Sequence, residues 1–227
     1  MDAQPTFSAV EAACREITAH VARGRWPGGY PLIEADLTSQ LNASRSTVRE
    51  ALRALEAQGL LVKGRSRNLV VRRLSRRDVS ELYELREVLE SYAAGRAATQ
   101  FDGLDAPGRR EWARTLRWWQ DAVRSRHRPE AMGDANRTLH MAVQALSGNA
   151  HLPRLLEGTL MTLFVSQFRN WLGADSITRA ASEHVDLIEA IMAGKEAAAS
   201  RAMRMHVRSS ARTILALGPD LFGPDQA

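Results

Sequence analysis

The sequence contains little cysteine and no long apolar run. Its single cysteine, Cys14, cannot form a disulfide within one chain and has no cysteine partner for a metal knuckle, which agrees with a reducing compartment. No apolar stretch approaches the roughly 18 residues that span a bilayer, and the opening residues MDAQPTFSAV lack the basic region and apolar core of a secretion signal. We therefore expect a cytoplasmic protein with no membrane partner.

The sequence also lacks a large net charge, but its basic residues are unevenly distributed. The formal charge of the 227 residues is +5. Residues 41 to 73 carry 8 Lys or Arg against 2 Asp or Glu, whereas residues 74 to 227 are nearly balanced, with 20 against 19. A local excess of this size is typical of a surface that faces nucleic acid, and a merely solvated basic face is the alternative.

The N-terminal part of the sequence alternates helix and turn signals. Three stretches repeat apolar residues at helical spacing, and Ser44 can cap the third by accepting the free amide hydrogens of its first turn. Gly59 supplies the left-handed residue that ends this helix. Two short aliphatic runs, 60–62 and 69–71, flank the basic turn KGRSRN and predict a hairpin. Three helices and a β-hairpin make a winged helix-turn-helix domain over residues 1–73.

No strand signal follows that domain. Helical periodicity, including a helix expected over 150–172, predicts an all-α bundle of about six helices over residues 74–218. Residues 219–227 have the composition of a flexible tail. The fold class is therefore mainly α. Four tryptophans are expected in the core or an interface, namely Trp112, Trp118, Trp119 and Trp171.

The third helix carries the residues that would read DNA. In a helix-turn-helix, the N-terminal residues of the second helix of the pair enter the major groove. Arg45 and Arg49 are one turn apart and project from one side, and arginine can make a bidentate contact to guanine. Hydroxyls and the helix N-terminus suit phosphate. The predicted DNA-binding set, from this helix and the wing, is Ser44, Arg45, Ser46, Thr47, Arg49, Lys63, Arg65 and Arg67.

The run PGGYPLIEADLTSQLNASRSTVREALRALEAQGLLV resembles the GntR family of bacterial transcription regulators. It follows the family's Leu-x-Glu-x-x-Leu helix, its Ser-Arg-x-x-Val-Arg-Glu-Ala-Leu segment and its closing Glu-x-x-Gly-Leu. It departs at Ala35, where relatives often carry an arginine that touches DNA, and at Asn68, which replaces the usual wing glycine. The resemblance implies a dimer that presents Arg45 and Arg49 to the half-sites of an inverted-repeat operator, about one helical turn apart.

Three histidines lie on apolar helical stripes of the second domain, where a polar ring needs a partner. If two helices form an antiparallel hairpin about Gly194, His184 and His206 lie roughly 15 and 18 Å from the turn, at about 1.5 Å per residue. Asn136 and His140, one turn apart, can join from a third helix. Three imidazoles and one oxygen suit zinc, and also nickel or manganese, while separately satisfied core histidines are the alternative.

The segments NRTLH, SGN and SEHVDLIEAIMAGKEAAASRAMRMH resemble the FCD effector domain of the FadR subfamily of GntR regulators. Metal-binding members use an Asp or Asn, a histidine four residues on, and two later histidines. The resemblance thus implies a divalent metal ion held by Asn136, His140, His184 and His206. The amide of Asn136 is a weaker ligand than a carboxylate, so the affinity or the metal can differ.

Arg86 lies on the inward stripe of the first bundle helix, and a buried guanidinium requires an anion. A structural ion pair with Glu87 or Glu90 is one interpretation. The FCD resemblance implies another, in which Arg86 binds the carboxylate of a small organic acid whose other oxygens reach the metal.

Together these patterns predict a homodimeric regulator that binds double-stranded DNA and a small organic acid. Repression relieved by that effector is the favoured interpretation, and activation is the alternative. One alternative keeps the regulator without a metal and fills the bundle with an apolar ligand such as an acyl thioester. A more distant alternative is a metal-dependent hydrolase, because a three-histidine site can activate water. No motif such as His-Glu-x-x-His supplies a general base, so we expect no enzyme activity.

Overall fold

The chain divides into two units in a computed structural model that describes residues 8–64, 68–125, 129–158, 168 and 171–225. One unit contains the described residues up to Ser75 and those after Pro219, and the other contains the described residues between Arg76 and Pro219. The late segment joins the first unit through a backbone hydrogen bond of 2.8 Å that Gly223 N donates to Leu74 O. The described residues form nine α-helices and three short strands, so the mainly α fold class is confirmed.

The first unit begins with three helices that share one core. Helix α1 spans Ala9–Ala22, α2 spans Glu34–Gln40 and α3 spans Arg45–Ala57. A capping box starts α1, because the Ser8 hydroxyl accepts from Glu11 N at 3.2 Å and Ser8 N donates to the Glu11 carboxylate at 2.8 Å. The buried apolar residues that the three helices contribute are Ala13, Ile17, Val21, Leu37, Val48, Ala51, Leu52 and Leu55.

Local backbone rules set both ends of α3. Asn42 has φ 47° in the connection from α2, a left-handed conformation that asparagine tolerates. Ser44 caps α3 by accepting from Thr47 N at 3.1 Å, and Gly59 follows the helix with φ 77°. Both predicted signals are confirmed. They determine where α3 begins and ends.

Three short strands form the wing. They are β1 (Pro31–Leu32), β2 (Leu61–Lys63) and β3 (Leu69–Val71), antiparallel in the order β1-β3-β2. The predicted hairpin is β2 with β3. Strand β1 was not predicted, because two residues are too few to show alternation. It pairs with β3 through Leu32, which faces Leu69 in the register and is buried.

A stack of three aromatic rings supports β1. Trp26 is 5% exposed and lies between His20 of α1 and Tyr30, which precedes the strand. The Trp26 ring centroid is 4.4 Å from that of His20 and 5.7 Å from that of Tyr30, and both pairs are stacked. The stack therefore joins the first helix to the start of the wing.

The second unit is an all-α bundle. Its helices are α4 (Arg76–Gln100), α5 (Ala106–Ser125), α6 (Pro129–Leu146), α7 (His151–Gly158), α8 (Ala174–Met192) and α9 (Glu196–Leu215). The long α4 packs against α6, α8 and α9, while α5 packs against α8. The helix expected over 150–172 is described as α7, and most of its later part lies outside the described residues. None of the helices among the described residues is long and apolar enough to cross a bilayer.

Helices α8 and α9 form the predicted hairpin. Gly194 has φ 66° in the connection, and Lys195 N donates to Ala190 O at 3.0 Å. The two helices pack along their length, which brings residues at equal distances from the turn to the same level.

Three of the four tryptophans lie inside the bundle. Trp112 and Trp119 are buried and Trp118 is half-buried. Trp171 is 59% exposed, so it is not a core residue, and a place in an interface stays a prediction. It directly precedes the loop that leads into α8.

We expect the substitution Trp26→Ala to destabilise the protein by about 3–5 kcal/mol, because it removes a buried ring and the contacts of His20 and Tyr30. Trp171→Ala is the matched control and should change stability by less than about 0.5 kcal/mol, since the residue is exposed. Urea unfolding followed by circular dichroism measures both. Equal losses in the two variants would contradict this account of the stack.

Candidate nucleic-acid interface and metal centre

The N-terminal turn of α3 presents a row of polar side chains to solvent. Besides capping Thr47 N, Ser44 Oγ lies 2.8 Å from the hydroxyls of both Ser46 and Thr47. Arg45 and Arg49 are exposed, while the opposite face of the helix is buried in the core. The helix thus offers two guanidinium groups and three hydroxyls on one accessible surface.

Arg49 is oriented by an acidic neighbour. Its Nε donates to Glu34 Oε2 at 2.8 Å, and the two side chains are 61% and 45% exposed. Glu34 is the first residue of α2, so this pair links the two helices of the helix-turn-helix. An ion pair this exposed contributes little stability and can open when a stronger partner arrives. Glu34 is not among the predicted DNA-binding residues, although it lies in the Leu-x-Glu motif.

The wing adds basic charge that is only partly described. Lys63 ends β2 and is exposed. Gly64 N donates to Asn68 O at 2.7 Å, which closes the wing turn. Arg65 and Arg67, the other predicted wing residues, lie outside the described residues.

Three buried histidines meet in the second unit. His140 of α6, His184 of α8 and His206 of α9 each offer a nitrogen, and these nitrogens lie within 4.8 Å of one another. The Nε2 atoms of His184 and His206 are 3.2 Å apart, and the three side chains belong to residues no more than 6% exposed. The ring of His184 also packs against the ring of Trp119, and the two ring centroids are 4.2 Å apart. We refer to these three residues as the histidine cluster.

Two carboxylates fix which nitrogens face one another. Glu90 bonds to Nδ1 of His140, and Glu183 Oε2 lies 2.9 Å from Nδ1 of His206. His140 Nε2 is buried and has no hydrogen-bond partner among the described atoms. A metal-binding histidine commonly donates its other ring N–H to a carboxylate, which orients the ring and raises its basicity. The two carboxylates therefore leave the Nε2 atoms of His140 and His206 available as ligands.

Burial favours the neutral form of two of the rings, those of His184 and His206. Burial lowers the pKa of His184 well below its ordinary value, and the charges of His206 and His140 lower it further. Burial also lowers the pKa of His206, although its hydrogen bond to Glu183 acts in the opposite direction. A neutral imidazole can donate a lone pair to a metal, whereas a protonated one cannot.

The geometry and donor set fit a divalent ion. Two nitrogens bound to a tetrahedral zinc at about 2.0–2.1 Å lie roughly 3.3 Å apart. The 3.2 Å between His184 Nε2 and His206 Nε2 is close to that separation. The Nε2 atom of His140 is buried and has no hydrogen-bond partner among the described atoms, and a bound metal ion would supply the missing partner. The residues present thus fit a metal ion.

Arg86 is paired with Glu90 and not with Glu87. Arg86 Nε donates to Glu90 Oε1 at 2.6 Å, and the guanidinium lies 4.7 Å from the centroid of the Tyr83 ring. Glu87 instead accepts two bonds of 2.7 Å from Arg208. The structural ion pair weighed in the sequence analysis is therefore present. Whether Arg86 also binds an effector stays a prediction.

The charge of Glu90 is stabilised from two sides. Burial raises its pKa, but the charges and hydrogen bonds of Arg86 and His140 outweigh burial, so its pKa is held well below the ordinary value. Burial would lower the pKa of Arg86, yet the charge of Glu90 leaves it raised. Arg86, Glu90 and His140 thus form one continuous polar chain that ends at the histidine cluster.

Two family models match the chain. Residues 9–71 match the model described as bacterial regulatory proteins of the gntR family, and residues 81–209 match the FCD domain. The chain belongs to the GntR family and carries an FCD domain. The first match covers the winged helix-turn-helix through β3, and the second runs from α4 into α9 and contains the histidine cluster.

Relatives of this GntR-family chain are transcriptional regulators. The regulator LutR of Bacillus subtilis (strain 168) is 30% identical over 75% of this chain and 84% of the relative. A protein of Paenarthrobacter nicotinovorans, named as a probable D-xylose utilization operon transcriptional repressor, is 28% identical over 84% of this chain and 82% of that protein. The expectation that the chain is a regulator and not an enzyme is confirmed.

Solved structures confirm the fold. E. coli McbR/YncC matches with a TM-score of 0.77 at 19% identity, covering 92% of this chain and 98% of that one. A GntR-type regulator from Rhodococcus sp. RHA1 matches with a TM-score of 0.71 at 22% identity over the same shares. The winged domain of the family implies DNA binding, and the FCD domain implies a small-molecule effector.

Asn136 lies one turn before His140 on α6 and is half-buried. This position is compatible with the fourth ligand that the resemblance implies. Its role as a metal ligand stays a prediction.

The histidine cluster should make the metal-free protein acid-sensitive. The folded pKa of His184 is below its unfolded value of 6.5, so the stability that its neutral form contributes is present above pH 6.5 and is lost as pH falls. We expect His184→Gln to reduce the slope of unfolding free energy against pH by up to about 1.4 kcal/mol per pH unit between roughly pH 6.5 and 5.

His151→Gln is the matched control, because His151 is exposed at the start of α7. Urea titrations in the presence of a chelator at several pH values give the slopes. The same slope in wild type and His184→Gln would show that the buried ring does not cause the acid sensitivity.

Proposed function

We propose that the chain is a homodimeric transcriptional repressor that binds an inverted-repeat operator and is released by a small carboxylate bound at a metal ion in the FCD domain. One observation carries the proposal. A capped helix that presents Arg45 and Arg49 to solvent is joined, in one chain, to a buried cluster of three histidines. The first suits DNA and the second suits a metal with room for a further ligand.

The exposed first turn of α3 would contact the DNA. Arg45 and Arg49 would contact base edges, and Ser44, Ser46 and Thr47 would contact phosphate. Glu34 would hold Arg49 extended from the helix until guanine replaces the carboxylate as its partner. Lys63 and the two wing arginines, Arg65 and Arg67, would bind the backbone of the adjacent groove.

A dimer is supported by an apolar stripe on α4. Leu85, Val88 and Tyr92 follow one another at helical spacing and are 53%, 69% and 50% exposed. Exposed apolar side chains in one stripe mark surfaces that associate. Two copies that buried this stripe against each other would form a two-fold dimer, the symmetry that an inverted-repeat operator requires.

The cluster would hold the metal through His140, His184 and His206, with Asn136 as a weaker oxygen ligand. Zinc suits this set best, and nickel or manganese are possible ions. When bound, the ion would offer an open position to an effector carboxylate. Glu90 and Glu183 would keep the two outer rings oriented while the effector enters and leaves.

Arg86 would act in two ways. It stabilises Glu90, and so the orientation of His140, by the ion pair of 2.6 Å. As an effector ligand it would share its guanidinium between Glu90 and the incoming carboxylate. An effector can change operator affinity only by binding one arrangement of the dimer more tightly than the other.

The metal-free alternative, with an acyl thioester in the bundle, is less well supported. The interior at the cluster is lined by imidazoles and by the Arg86–Glu90 pair, and His140 Nε2 would have no partner beside an apolar ligand. Burying an unpaired polar atom costs about 1–3 kcal/mol.

Arg49→Ala should weaken operator binding about 5- to 150-fold, because one bidentate base contact is worth roughly 1–3 kcal/mol. The operator is first obtained by selecting the full chain on a pool of random duplexes, and affinities follow from gel-shift titrations. Arg53→Ala is the charge-matched control on the same helix and should weaken all duplexes alike. Unchanged operator affinity in Arg49→Ala would refute the placement of α3 in the groove.

His184→Ala should reduce bound metal from about one ion per chain to well below one, since it removes one of three nitrogen ligands. Elemental analysis of the dialysed protein measures this, with His151→Ala as the control. A thermal-shift screen of small carboxylates, with and without chelator, then tests the effector, because a ligand of the native state raises its apparent stability. A normal metal content in His184→Ala would overturn the ligand assignment.

A further inference from the structure

An open cleft lies beside the hairpin of α8 and α9, within the second unit. Its volume is about 570 Å³, which suits a small organic molecule. The N-terminal half of α8, the C-terminal half of α9 and the residues directly before α8 form its walls. The three histidines of the cluster are not among the residues that line it. The cleft thus contains none of the proposed histidine ligands and borders the histidine cluster through Glu183, which lines it and bonds to His206.

Positive charge prevails on its walls. Arg179 donates to hydroxyls of Ser176 and Thr213, at 3.4 and 3.0 Å, and Arg212 also lines the cleft. Within the described part of the chain, neither guanidinium is within 4.0 Å of a carboxylate. Glu183, the acidic residue of the described lining, uses one oxygen to hold His206. Among the described residues, neither of these two cations therefore has a carboxylate partner.

The start of α8 adds to this positive potential. Gly173, its N-cap residue, lines the cleft and provides no side-chain hydrogen bond to the first turn. The free amides of a helix N-terminus attract anions. Asp175 lies in the same turn but is exposed and is not part of the lining.

The remaining walls are apolar and exposed. Trp171 is 59% exposed and Met205 is 55% exposed, and both line the cleft together with Leu172. An indole ring and a thioether offer flat, polarizable surfaces on which an aromatic ring packs. The cleft therefore places an exposed tryptophan, which suits an apolar ring, beside two arginines, which suit an anionic group.

We propose that this cleft binds a small aromatic carboxylate, with Arg179 and Arg212 on the carboxylate and Trp171 and Met205 on the ring. This binding needs neither a metal ion nor an effector at the histidine cluster. It is a second ligand site of the FCD domain, distinct from the proposed effector site.

The test uses the full chain labelled with 5-fluorotryptophan and observed by fluorine NMR, with benzoate as the probe. Resonances are assigned by single Trp→Phe substitutions. Trp171 reports on the cleft, while Trp119, which packs against His184, reports on the histidine cluster. Benzamide serves as the uncharged analogue of the probe.

We expect benzoate to shift the Trp171 resonance saturably and benzamide to bind far more weakly. Arg212→Gln should weaken benzoate binding about tenfold or more, because it removes a charged hydrogen-bond partner. Arg201→Gln, the charge-matched control on the exposed face of α9, should bind as wild type. Binding should persist in His184→Ala, which separates this site from the proposed metal centre.

Three results would overturn the proposal. One is a Trp171 resonance that does not respond saturably to benzoate, and another is a response confined to Trp119, which would place the probe at the histidine cluster. The third is wild-type affinity in both Arg212→Gln and Arg179→Gln, with the dispersed tryptophan resonances showing that the variants are folded.

Discussion

The second unit depends on one buried carboxylate. Glu90 lies inside the bundle with 3% exposure and bonds to Arg86 on its own helix and to His140 on α6. A charge in this position would be strongly unfavourable without both partners. With them, it neutralises a guanidinium that is mostly buried and selects which nitrogen of His140 faces the cluster. The structural pair and the candidate metal centre are therefore parts of one network.

A second carboxylate orients a histidine on the other side of the cluster. Glu183 holds His206 through Nδ1, and the α8–α9 hairpin sets His206 opposite His184. Each carboxylate determines the free nitrogen of a neighbouring ring, and burial keeps His184 and His206 neutral. Orientation, protonation and placement thus have separate and identifiable causes. This separation makes the site open to dissection by single substitutions.

Local signals made much of the fold predictable from the sequence. Ser44, Gly59 and Gly194 act on their own backbone or on a neighbour within a turn, so their residue types alone indicate where a helix starts or a chain reverses. The meeting of His184 and His206 was also predictable. In a hairpin about Gly194, the number of residues between each histidine and the turn gives its distance from the turn along the helix. Recognition of the family motifs supplied the roles of these residues.

Other features depend on contacts that sequence spacing does not encode. Strand β1 exists because residues 31 and 32 meet β3, nearly forty positions later. The Arg86–Glu90 pair follows helical spacing, but the link from Glu90 to His140 spans 50 residues. The apolar character of Trp171 predicted a place in the core or an interface, but its surroundings leave it exposed in the single chain. In each case tertiary packing determines the structure, and the local sequence pattern does not indicate it.

The three cluster histidines come from three helices, with 66 positions between the first and the last. An ion that joined them would cross-link the folded bundle and would have no preformed site in the unfolded chain, so its binding free energy would add directly to the folding free energy of that domain. The winged domain contains none of these histidines. A change in metal concentration would therefore act directly on the stability of the FCD domain and not on that of the winged domain.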